Sequence, residues 1–248
     1  RDGGISWFDW RRPLVSNRYE VDRCDAQPDL YGDCFTTRVY EQMGQDGERQ
    51  VEMVQRKFTN MISQIISQIL NTADLSPRPA VNDAFSYLVE NRKKIVITDL
   101  SAETIEKIQK ASSTAEYLLE KHWAEKIINE EAELDDFIYL DYYKALVAKE
   151  VEELTKVIGK SPKSVCFIGG GPLPLTSILM AKDFGIKSVV YDSDEIACNL
   201  ANKVIEIEHL TELIKVINKK GEDAEMDSDV IFVAALAEGE NGKEGLFE

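Results

Sequence analysis

Histidine is nearly missing: only His122 and His209 occur among 248 residues. Sites built on Ser-His-Asp or Cys-His therefore have few candidates, and a carboxylate or a tyrosine is the expected proton acceptor. Cysteine is sparse as well. Cys24, Cys34, Cys166 and Cys198 form no CxxC pair, and with so little histidine they leave no zinc-binding pattern, so no metal is expected. No run of about 18 apolar residues exists, which excludes a membrane-crossing helix. No signal-peptide pattern opens the chain, although it begins at Arg1 rather than Met, which leaves its natural start open. Cys166 and Cys198 fall in apolar elements and are expected as buried thiols. Cys24 and Cys34 could pair, but a reduced, cytoplasmic protein is the simpler expectation. Basic charge is also short, with 29 Lys and Arg against 45 Asp and Glu, for a net charge of -16. Such a field repels phosphate backbones and argues against a nucleic-acid partner. It suits a cationic ligand, though solubility alone accounts for most of the acidity.

What is present falls into three stretches. Residues 1–57 use Arg, with Lys57 the single lysine, whereas Arg78 and Arg92 are the only later arginines. That shift reads as a boundary near residue 57, a separate origin or chance, and the irregular stretch before it has no assigned role. A helical bundle is expected over 58–160. Val51, Val54, Phe58, Met61, Ile62, Ile65, Ile66 and Ile69 recur at spacings of three and four, from about Glu48 to Asn71. Leu75-Ser76-Pro77-Arg78-Pro79 interrupts, and Ala80–Asn91 reads as a second helix. Ser101 is an N-cap for a long helix reaching about Glu130. One further helix is expected from Leu134 to Ile158.

At Ser161-Pro162 the period changes. Ser164–Ile168 reads as a buried strand, Pro174–Phe184 as a helix and Lys187–Tyr191 as a second strand. Glu195–Ile207 follows as a helix, then strands at Leu213–Ile217 and Asp229–Ala235. Alternating strands and helices predict a parallel, doubly wound sheet over 161–248. The fourth strand would be left at an edge, so the sheet reads as cut short at its C-terminal end.

A strand, then Gly169-Gly170-Gly171, then a helix is a dinucleotide- or S-adenosylmethionine (SAM)-type turn, in which glycine lets ligand and backbone approach closely. Pro172 and Pro174 depart from GxGxxG, and a plain tight turn is an equal reading of the glycines alone. Asp192, some twenty residues on, stands where a carboxylate accepts from ribose hydroxyls, with Asp194 as a helix cap. Asp223, between the third and fourth strands, can meet an adenine amino group or simply face solvent. Glu116 and Glu120 share a helix face, and Tyr139, Tyr142 and Tyr143 crowd the next helix. Taken singly, such glutamates are most often solvated and such tyrosines most often core.

Together these residues carry a resemblance. Phe167-Ile168-Gly169-Gly170-Gly171-Pro172-Leu173-Pro174-Leu175-Thr176 resembles the SAM-binding turn of the nicotianamine synthase family. Val230-Ile231-Phe232-Val233-Ala234-Ala235-Leu236 is similar to its fourth strand. Glu116–Trp123 and Phe137–Tyr143 resemble its two active-site helices, and Leu75-Ser76-Pro77 with Val81–Phe85 and Leu88-Val89 its N-terminal segment. The likeness covers roughly 62–236.

The resemblance implies an α/β fold: an N-terminal helical bundle, then a Rossmann-like parallel sheet of the class I SAM methyltransferase type. It implies a transferase that moves 3-amino-3-carboxypropyl groups from SAM, its substrate, to an amine. Glu120 would take the proton with Tyr143 nearby, and Glu116 and Tyr139 would hold substrate. Gly169, Gly170, Gly171, Pro172, Leu173, Asp192, Asp223 and Ala234 would hold SAM. The expected partners are small molecules, with self-association open. Three readings stand beside it: a relative that transfers once or cyclises SAM, a SAM methyltransferase, and a non-catalytic SAM-binding module.

Overall fold

The computed structural model describes residues 45–91 and 100–234. The irregular N-terminal stretch up to residue 44, Cys24, Cys34, Ala235 and Leu236 lie outside the described residues. The first helix, α1 (Gln45–Leu70), runs through residue 57, so the change from Arg to Lys there is not a structural boundary. Ile62, Ile66 and Ile69 form its buried stripe. Each such side chain contributes about 1.5–3 kcal/mol by leaving water. Next come α2 (Pro79–Asn91) and α3 (Ala102–Ile128). Ser101 caps α3 as expected, its hydroxyl accepting from Thr104 N at 3.1 Å.

The helix expected from Leu134 is shorter. A 3-10 turn covers Leu134–Asp136, and α4 (Leu140–Ile158) starts only after Tyr139. Two interactions outweigh helix continuity here. The Asp136 carboxylate accepts from Glu133 N at 2.9 Å, which ties the turn back on itself. Phe137, with extended backbone, is buried edge-on against Trp123 at 5.4 Å between ring centroids. From Leu140 onward the buried stripe is Leu140, Tyr143, Val147 and Val151, and left-handed Gly159 at φ 80° closes the helix.

The sheet comprises β1 (Ser164–Ile168), β2 (Lys187–Asp192), β3 (Ile214–Asn218) and β4 (Val230–Val233). All pairs are parallel and the order is β3-β2-β1-β4. The helices α5 (Leu175–Phe184) and α6 (Glu195–Ile207) make the first two crossovers. Central β1 and β2 bury Val165, Cys166, Ile168, Ser188, Val190 and Tyr191, and most of their other residues are half-buried. Cys166 and Cys198 are buried free thiols, as expected. Edge strand β4 is more open, with Ile231 exposed.

Helices from both sides of residue 160 belong to one core, which runs from Ile62 to Ile214 and includes Val165 and Val190. The bundle is not separate from the sheet: α3 packs on α6, and α4 on α5. On the opposite sheet face Cys166, Ile168 and Tyr191 are covered by loop residues such as Ala224 and Met226. Among the described residues, helices therefore cover mainly one face, fewer than a doubly wound layout implies.

Candidate functional site

Chain direction reverses its sideways progress between β1 and β4. From β1 the chain steps to β2 and β3, then returns to the other flank for β4. In parallel sheets a crevice opens at such a point, at the carboxyl ends of the strands. A cleft of about 460 Å³ lies there. The sheet forms one wall, and α3 and α4 form the other.

The sheet wall is built mostly from backbone. Gly169 N donates to Tyr191 O at 2.7 Å, which binds the turn to the end of β2. The two following glycines are small for different reasons. A Cβ on Gly170 would collide with Val190 Cγ1, so the turn can lie close on β2. Gly171 has φ +68°, and a Cβ there would run into the carboxylate of Glu120. Gly171 N donates to Asp192 Oδ2 at 2.8 Å, and Asp194 N donates to Asp192 Oδ1 at 2.9 Å. Two amides thus orient Asp192 at the cleft. Asp194 caps α6 as expected, accepting from Ile196 N at 2.8 Å. Phe167 and Phe232, register partners on β1 and β4, stack at 4.6 Å and also line the cleft.

The helix wall is built from side chains. Glu116, Tyr117 and Glu120 line it from α3, and Tyr143, Leu146 and Glu150 from α4. Both sets follow the three-and-four spacing of a helix face. Glu116 is 7% exposed, a burial uncommon for a carboxylate. Tyr143 is held in an aromatic group: Phe137 meets it edge-on at 6.0 Å, and Tyr142 at 6.2 Å. Tyr117 donates its hydroxyl to Asp194 Oδ2 at 2.6 Å. Burial first, and then that bond, push the Tyr117 hydroxyl up to about 12. The same bond holds the Asp194 carboxyl below the usual carboxylate range.

Most of the expected site residues meet at this cleft. Glu116, Glu120, Tyr143, Gly169, Gly170, Gly171, Leu173, Asp192 and Ala234 all line it. Three do not. Pro172 is buried beneath the turn, Asp223 is exposed on a 3-10 turn, and Tyr139 packs its ring on Phe137. Tyr117, Glu150, Phe167, Phe232 and Lys219 line the cleft without having been singled out. The signal for Glu150 was its place two helical turns beyond Tyr143. Nothing local marked Phe167 and Phe232, which meet only through strand pairing.

Charge decides what the cleft can hold. Among the described residues, Glu116, Glu120, Glu150 and Asp192 line it against one basic side chain, Lys219. A carboxylate resting on Gly171 occupies the place where a pyrophosphate would need free amides. The geometry disfavours a dinucleotide and favours a ligand bearing ammonium or sulfonium charge. Among the described residues no cluster of three or more His, Cys, Asp or Glu is placed to hold a metal ion. None of the described helices is long and apolar enough to cross a membrane.

Comparison with known proteins agrees with this picture. The family model described as nicotianamine synthase protein matches residues 49–246. A nicotianamine synthase of Solanum lycopersicum is 32% identical over 197 residues, 71% of this chain and 60% of that protein. Nicotianamine synthase 2 of Arabidopsis thaliana is 30% identical, with 71% and 60% covered. The chain thus spans about 60% of the length of these relatives. Among solved structures, MtNAS in complex with MTA and tNA superposes with a TM-score of 0.58 at 25% identity, covering 73% of this chain and 74% of that one. A glutamate-to-glutamine variant of MtNAS in complex with S-adenosylmethionine gives 0.58 at 26% identity, covering 73% of each chain. The resemblance drawn from the residues and the expected α/β architecture are both borne out.

Proposed function

Because the chain belongs to the nicotianamine synthase family, we propose that it is a transferase acting on SAM. It moves the 3-amino-3-carboxypropyl group to an amine acceptor and releases methylthioadenosine. One observation carries this reading: the Glu120 carboxylate packs on Gly171 of the glycine turn, inside an acidic cleft. In this reading that carboxylate is the proton acceptor, beside a turn suited to a cationic nucleoside. SAM is such a cation, and the acceptor amine arrives as an ammonium.

The chemistry follows from what must balance. The ammonium first gives a proton to Glu120, and the Tyr143 hydroxyl, which lines the same cleft, shares in the relay. The freed nitrogen lone pair attacks the Cγ of the aminobutyrate arm. The Cγ–S bond breaks, sulfur keeps the electron pair, and methylthioadenosine leaves as a neutral thioether. Charge thus leaves the sulfur and appears on nitrogen, so the acidic wall stabilises it throughout. Holding amine and Cγ in line supplies much of the acceleration. Asp192, oriented by two amides, takes the ribose hydroxyls. Glu116 receives an ammonium of the substrate. The reading places the enzyme in the cytoplasm, with small molecules as its partners.

Incubation with SAM alone, followed by mass spectrometry, tests it. Methylthioadenosine with nicotianamine is the expected result. A single-transfer or cyclised product narrows the acceptor but keeps the bond that breaks. S-Adenosylhomocysteine as the only nucleoside product would show methyl transfer and overturn the reading.

A further inference from the structure

Tyr117 sits between the two α3 carboxylates that line the cleft, one residue after Glu116 and three before Glu120. Residues three apart on a helix share a face, so whatever holds Tyr117 also sets where Glu120 stands. Its hydroxyl bond to Asp194 Oδ2 spans 77 residues of chain. Asp194 passes the connection on through its backbone N–H to Asp192 Oδ1. Asp192 Oδ2 in turn accepts from Gly171 N. Gly171 closes the circuit, because the Glu120 carboxylate lies against its Cα. The contacts run from α3 through Asp194, Asp192 and Gly171 back to α3.

We infer that Tyr117 is a positioning residue: its bond to Asp194 sets the distance of Glu120 from the glycine turn, and so from the reacting carbon. The inference rests on the proposed transfer, with Glu120 as proton acceptor. A loose α3 would slide on α6, against which it packs, and carry Glu120 with it. A misplacement of about 1 Å in a reacting group costs on the order of 100-fold in rate. The hydroxyl keeps its proton for this bond, pushed up to about 12, and the bond holds the Asp194 carboxyl below the usual carboxylate range.

Tyr117→Phe keeps the ring and removes only the hydroxyl. Steady-state rates, KM for SAM and Tm are measured for the unmodified chain, Tyr117→Phe, Glu120→Gln and the double variant. Slow residual turnover is followed by mass spectrometry. Tyr117→Phe should lower kcat about tenfold or more and leave KM for SAM within about twofold. In the Glu120→Gln background the same change should have no further effect, because Tyr117 acts through Glu120. Asp194→Asn, which keeps the cap but weakens the bond, should show a smaller loss of the same kind and guards against a Tyr117→Phe protein that fails to fold. An equal fold-loss in both backgrounds overturns the inference, as does a lowered Tm with unchanged kcat; either makes Tyr117 a strut only. If the unmodified protein makes no methylthioadenosine from SAM, the parent reading falls, and this one with it.

Discussion

The two walls of the cleft are made by different means. The sheet wall positions its groups through backbone: Gly169 N on Tyr191 O, and Gly171 N and Asp194 N on Asp192. Its residues lie within a few positions of β1 and β2, so a short stretch of chain specifies them. The helix wall positions side chains through packing. Glu120, Tyr117 and Tyr143 stand where they do because α3 rests on α6, α4 rests on α5, and Phe137 fills the space beside Tyr143. A backbone wall tolerates side-chain change and fails when its dihedrals are violated. A packed wall tolerates local backbone change and fails when contacts loosen.

The variant that strikes both walls should have the largest effect. Gly171→Ala places a Cβ at φ +68° and against the Glu120 carboxylate. The left-handed conformation alone costs about 1–2 kcal/mol, and Glu120 must also move. We expect SAM binding by calorimetry and turnover to be lost together, with a lowered Tm. Retained affinity would show that the walls are independent.

Glu120→Gln separates them. It keeps the shape of the helix wall and removes the proposed proton acceptor, so turnover should fall about 10²–10⁴-fold while SAM affinity is nearly kept. Unchanged turnover would take the base from Glu120. Asp192→Ala is the converse. It strips the sheet wall of its one oriented carboxylate and should weaken SAM binding about 10- to 100-fold, the worth of a hydrogen bond to a charged group. Equal affinity in calorimetry would remove Asp192 from ribose binding.

The smallest effect joins the walls. The Tyr117 hydroxyl is raised in the folded chain from an ordinary 10.0 to about 12. Between those values the unfolded chain has lost the proton and the folded chain keeps it, so stability must fall as pH rises. Below about pH 10 this contribution is complete and level. Chemical denaturation between pH 10 and 12 should show the decline in the unmodified chain and less of it in Tyr117→Phe. Identical curves would mean that the Tyr117–Asp194 bond does not persist in solution.

Legibility followed the same division. The strands, the glycine turn, the Ser101 and Asp194 caps and the buried thiols were all readable, because each depends on residues a few positions apart. The break at Phe137 was not. The helical spacing of Leu134–Tyr139 continues unbroken, and only burial against Trp123 pulls Phe137 out of it. Asp223 and Tyr139 were reasonable by type and place, yet one turns to solvent and the other packs against Phe137. Tyr117 and the Phe167–Phe232 stack entered the cleft unannounced, since each depends on a partner far along the chain.

Two things were therefore decided by the chain alone: a parallel sheet with a nucleoside-type turn after β1, and an acidic surplus that suits cationic ligands. Both are local or additive properties, dihedral preference and charge, and survive any arrangement of the helices. Which acids meet the turn was decided only by the tertiary structure. Packing α3 on α6 brings Glu120 onto Gly171, and a carboxylate gains its role from what burial sets beside it.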